Sequence, residues 1–180
     1  MRDSINEAAR SASAMSDVAK VLAVEAEMGR ANIRAYITTG LGGVVPQNKD
    51  TNYRYEVRLT VQNVGNTPAY KLTSNLYTDV LPSPLPADFE IPAFNPAMTG
   101  QTTVGPHQNM FISAIAPRIF SDDEVNEFQH GSKKLLYVFG TITYEDVFGA
   151  SRYIKLCQMV LWFANGTQMT LNTGKYNESN

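Results

Sequence analysis

Few residues in this chain combine the types and spacing that chemistry requires. Cys157 is the single cysteine, so no intramolecular disulfide can form and a cysteine-based metal site has no second thiolate. It lies in the apolar run YIKLCQMVLWF, where a small buried side chain is the expected role. A reactive thiol needs a cationic, exposed setting, and only Lys155, on the same strand face, offers one. His107 in GPHQN and His130 beside Gly131 each lack a second ligand at metal spacing. Asp122, Asp123 and Glu124 follow Ser121, and acids in a first helical turn complement the helix dipole. Glu145 and Asp146 are neighbours on a strand and so point to opposite faces, with Arg152 across the expected hairpin as an ion-pair partner. No serine nucleophile elbow, glycine-rich phosphate loop or HExxH occurs. The expectation is a protein that is not an enzyme, with no catalytic residue, no cofactor and no metal.

The stretch VQNVGNTPAY, residues 61–70, is the other place to look for a site. Gly65 tolerates a positive φ, Pro68 has no N–H to give and holds Thr67 extended, and Asn63 and Asn66 can bond nearby backbone. These residues suit a bend between strands. A phosphate loop would need more glycines and a helix N-terminus.

The elements that would position such residues follow from periodicity. Residues 3–28 read as an Ala-rich helix that stops at Gly29. Ile5, Ala8, Ala12, Met15, Ala19, Leu22 and Ala26 alternate by three and four, a heptad seam of mostly small residues. The helix either packs on its own domain, stands as a solvated spacer, associates with itself or continues a membrane stalk. From ANIRAYITT onward the period is two, with Ala31, Ile33, Ala35 and Ile37 on one face, and GLGGVVPQNKDTN reads as a loop. In YRYEVRLTV, Tyr53, Tyr55, Val57, Leu59 and Val61 alternate with polar residues, so one face is core and the other meets water. A third strand spans about residues 69–80. Residues 81–105 form a long irregular segment with five prolines between 82 and 96. Its Phe89, Ile91 and Phe94 either cap the core or are presented to a partner. HQNMFISAIAP is a strand, SDDEVNEFQHG a helix with a capping box closed by Gly131, and residues 133–163 a long hairpin turning at Gly149. Leu135 to Phe139 is apolar on both faces, which predicts a central strand. The Asn-rich tail is expected to fray.

The formal net charge of −2 and a pI near 5.7 give no basic footprint for nucleic acid. The longest apolar runs, VLAVEA and MVLWFA, fall short of the roughly 18 residues that span a bilayer, and MRDSINEAAR lacks the pattern of a signal peptide. As written, the chain is expected to be soluble. The fold expectation is mainly β: an antiparallel immunoglobulin-like β-sandwich of about seven strands, with a long N-terminal α-helix and one short crossover helix. The boundaries expected are 1–29 for the helix, 30–165 for the sandwich and 166–180 for a polar C-terminal tail.

The combination IRAYIT, VQNVGNTPAY, VGPHQN, SDDEVNEFQHG and LLYVFGTITYEDVFGASRYIKLC resembles a group of uncharacterised bacterial proteins. Those carry one or two N-terminal transmembrane helices, an Ala-rich helix and a β-sandwich domain. The resemblance covers residues 30–160, and the Ala-rich helix matches in character only. It implies fold-determining turns at Asn63, Gly65, Thr67 and Pro68 and at Tyr144, Asp146, Phe148 and Gly149, and it brings no established activity. It implies membrane association through a segment outside this chain. The expected function is a non-catalytic interaction domain on a helical stalk, with a protein partner or self-association through the helix. Two other readings stay open. One is a small-ligand sensor with a pocket lined by Tyr137, Tyr144 and Trp162. The other is a structural subunit of a bacterial or phage assembly.

Overall fold

The structure, a computed structural model, describes residues 2–95, 100–131 and 133–180, with the side chains of residues 2–9 and 11 excepted. The chain divides into two compact units, Met1–Arg34 and Ala35–Asn180. Helix α1, Arg2–Ile33, occupies the first. It passes through Gly29 and takes up Ala31 and Ile33, where a strand was expected to begin. A helical glycine costs about 1 kcal/mol relative to Ala, and the strong helix formers on both sides of Gly29 outweigh that. The strand face starts only at Ala35 and Ile37, both buried.

The second unit is mainly β and antiparallel. Strands β1 (Ile37–Val45), β2 (Glu56–Asn63) and β5 (Asn109–Ile115) form a three-stranded sheet in the order β1-β2-β5. A larger sheet has the order β4-β3-β6-β7-β8, from β3 (Ala69–Pro82), β4 (Thr102–Val104), β6 (Lys134–Glu145), β7 (Ser151–Trp162) and β8 (Gln168–Asn172). The short β9 (Glu178–Ser179) also pairs with β7. Helix α2 (Asp122–His130) links β5 to β6, with the expected capping box between Ser121 and Glu124. Part of the expected first loop is strand instead. GLGGVV continues β1 past a register shift between Leu41 and Gly43. A Cβ on Gly42 would lie 2.9 Å from the Phe111 ring, so glycine lets the ring cover the sheet there.

One apolar core is shared by both sheets. Val57, Leu59 and Val61 come from β2, Leu72 from β3, Leu136, Val138 and Ile142 from β6, and Leu156 and Val160 from β7. The alternation read in YRYEVRLTV holds from Tyr55 to Val61, while Tyr53 stays 42% exposed. The larger sheet also buries its second face. Leu135, Tyr137, Phe139 and Cys157 lie there under Leu85, Phe89, Ile91 and Tyr176. This is why Leu135 to Phe139 is apolar on both sides. Gly140, at φ 150° in the middle of β6, stands where a Cβ would lie 2.0 Å from the Asn75 carbonyl oxygen. The β3–β6 pairing therefore needs glycine there.

The tail does not fray as expected. It supplies β8 and β9, and side-chain amides complete the edge. Asn177 Oδ1 accepts from Cys157 N at 3.2 Å while its Nδ2 donates to Cys157 O at 3.2 Å. Asn180 does the same at Tyr153 with its own N–H and Oδ1. A carboxamide carries one donor group and one acceptor, as a peptide does, so it can replace a strand residue.

Candidate functional site

The heptad seam lies on a helix none of whose described side chains is buried. Met15 is 74% exposed and Leu22 59%, and Val18 joins their face. Ala12, Ala19 and Ala26 are exposed beside them. The side chains of Ile5 and Ala8, also in the expected seam, lie outside the described residues.

Each of the two turn motifs is centred on a buried side chain with several hydrogen bonds. Asn63 is fully buried and its carboxamide makes four hydrogen bonds. Oδ1 accepts from Tyr36 N at 3.2 Å and Gly65 N at 3.0 Å. Nδ2 donates to Thr67 O at 2.7 Å and Val104 O at 3.1 Å. Its backbone bonds Gln108 O and His107 N, so the start of β1, the end of β2, the turn, β4 and the entry to β5 meet at one residue. Pro68 leads the chain into β3. In the hairpin, the Asp146 carboxylate is buried. Its Oδ1 accepts from Phe148 N at 2.9 Å and Ala150 N at 3.0 Å, and its Oδ2 from Arg152 Nε at 2.9 Å. Burial pushes this carboxyl up, but the Ala150, Arg152 and Phe148 donors outweigh it and the net shift is downward. Gly149 supplies the positive φ of 75°, Phe148 stands exposed at the tip, and the Tyr144 hydroxyl reaches Ala35 O from the core. Arg152 thus pairs with Asp146, while Glu145 pairs with Lys71 at 2.8 Å.

Of the two roles open to the proline-rich segment, covering its own sheet is the one observed for Phe89 and Ile91. The Phe89 ring meets Phe139 edge-on at 5.2 Å and Tyr176 at 5.9 Å, and the Tyr176 hydroxyl donates to Phe89 O. Asn75 and Asn95 bond each other's segments at 3.2 and 3.0 Å. Phe94 is half-buried and lines a cavity of about 380 Å³ with Thr141 and Lys155. The aromatic residues proposed for a sensor pocket are dispersed. Tyr144 is core, Trp162 packs on Phe128 at 5.3 Å, and Tyr137 lines a cavity on the outer face of the larger sheet.

The chemistry-bearing side chains do not converge. Cys157 is buried, and burial pushes its thiol up, against a smaller opposing effect of Thr173. Lys155 turns to Glu178 at 2.6 Å. His107 and His130 are exposed. Among the described residues no three His, Cys, Asp or Glu side chains are grouped to hold a metal ion. One cluster escaped the sequence reading. Glu56, 7% exposed on the outer face of β2, accepts from Arg58 Nε at 2.7 Å, from Ser113 Oγ at 2.7 Å and from the Tyr53 hydroxyl. The Arg58, Tyr53 and Ser113 donors hold its carboxyl down at about 2. The signal was available: Glu56 and Arg58 are two apart and share a strand face.

Two measurements check these assignments. Asn63→Asp turns an oxygen toward two buried carbonyls, so urea denaturation should show a loss of roughly 3 kcal/mol or more. Gln62→Glu on the exposed face should stay within about 0.5 kcal/mol. Glu56 has a folded pKa near 2 against an ordinary 4.5, so its contribution is complete above pH 4.5 and is lost as the pH falls toward 2. That contribution is on the order of 2 kcal/mol, and Glu56→Gln should flatten the decline of the urea midpoint over that window. Comparison with known proteins finds no matching family model, no matching curated protein and no matching solved structure.

Proposed function

We propose that this chain is a non-catalytic interaction module in which an immunoglobulin-like β-sandwich is displayed on a self-associating helical stalk. The observation that carries the reading is the exposed face of α1, where Met15, Val18 and Leu22 are each more than half exposed along the heptad register of Ala12, Ala19 and Ala26. An isolated helix is marginal in water, and most helix stability comes from packing an apolar face. The heptad spacing suits a second helix of the same kind, and the small seam residues let two helices approach closely. The sandwich reading is supported by two antiparallel sheets that share one core.

The resemblance to the membrane-anchored bacterial group extends the proposal. There α1 would connect the β unit to a membrane segment outside residues 1–180. Among the described residues no helix is long and apolar enough to cross a membrane. The same self-association would serve a structural subunit of a bacterial or phage assembly. The β unit keeps its sheet edges and hairpin tips for a protein partner.

Light scattering on the full chain tests the stalk. The wild type should be oligomeric, and Met15→Glu with Leu22→Glu should reduce it to the monomer mass while leaving the unfolding of the β unit unchanged. An unaltered mass in the double variant would remove the seam as the association surface.

A further inference from the structure

The outer face of the larger sheet holds a cavity of about 320 Å³. Tyr137 of β6 and Met159 of β7 contribute from the sheet, and Pro84 and Leu85 after β3 face the Thr173–Lys175 segment after β8. Cavities of this order that take small molecules are mostly apolar and have a few placed polar groups. Here the apolar surface is Pro84, Leu85 and Met159. Ser83, Asn172 and Thr173 bring groups that can donate or accept, and Lys175 brings the one charge among the described lining residues. Tyr137 is only 1% exposed, and among the described residues nothing bonds its hydroxyl. Lys175 Nζ donates to Ala87 O at 3.2 Å, which uses one of the three donors of an ammonium. Among the described residues no Asp or Glu lines the cavity.

We propose that this cavity binds a small amphiphilic carboxylate, of the medium-chain alkanoate class. The alkyl chain lies against Pro84, Leu85 and Met159. The carboxylate accepts from Lys175, with the Tyr137 hydroxyl as a second donor. A cation with the same chain has no acceptor of negative charge in the lining and is disfavoured beside Lys175. The site belongs to the Ala35–Asn180 unit and does not depend on self-association of α1.

The test uses the full chain with ¹³C-methyl methionine, the Met159 resonance being assigned through Met159→Leu. Octanoate should shift that resonance saturably, and octyltrimethylammonium should not. Lys175→Glu, which breaks no ion pair among the described residues, should weaken octanoate at least tenfold. Tyr137→Phe should weaken it several-fold with its thermal midpoint unchanged. No saturable shift with octanoate would overturn the proposal. Equal shifts with both amphiphiles would also overturn it, since they would mark adsorption to apolar surface. So would unchanged octanoate affinity in a folded Lys175→Glu protein.

Discussion

The β unit depends on one buried carboxamide. Asn63 fills both lone pairs of its oxygen and both hydrogens of its nitrogen with backbone groups from residues 36, 65, 67 and 104. None of those groups has to seek water, although the residue is fully buried. The consequence is geometric. The end of β2 is tied to the start of β1 and, through its backbone, to the entry of β5, while the turn it anchors delivers β3 to the other sheet. A residue that looks like surface turn chemistry in the sequence is therefore the junction between the two sheets. An aspartate would fit the space and fail, because it has no donor for the two carbonyls.

The same device recurs wherever the chain lacks a strand partner. Asn177 and Asn180 pair with β7 through their side chains, and Asn75 joins the proline-rich segment to β3. These amides hold down the segments that cover the second face of the larger sheet. The proline-rich segment packs on its own sheet through Phe89 and Ile91, while on α1 Met15, Val18 and Leu22 are each more than half exposed. That division of labour gives the interaction reading its shape. The β unit satisfies its own core, and the helix carries exposed Met, Val and Leu side chains that a partner would cover.

Much of this was legible in the residues, because periodicity and turn chemistry are local. The β2 alternation, the Ser121–Glu124 capping box, the Gly149 hairpin and the two-faced apolar β6 all follow from spacing alone. What could not be read was long-range. Gly29 looks like a helix stop, yet neighbouring helix formers carry the helix to Ile33. GLGG looks like a loop until Phe111, about 70 residues later, is found packed over Gly42. The polar tail looks solvated because asparagine gives no period, and its pairing with β7 exists only once β7 is in place. Glu56 was passed over because alternation assigns it to the water face, whereas Arg58, Tyr53 and Ser113 enclose it there. The seam on α1 is a pattern of spacing, and a pattern does not say what covers it.

The most direct test of the account is the solution mass of residues 1–180 beside residues 35–180, by light scattering. Among the described residues every member of the apolar core lies at or beyond Ala35, so the shorter chain retains these. The account predicts that the full chain is oligomeric and that the shorter one is a folded monomer with a cooperative unfolding transition. Equal association states for the two chains would contradict it and would move any association to the β unit.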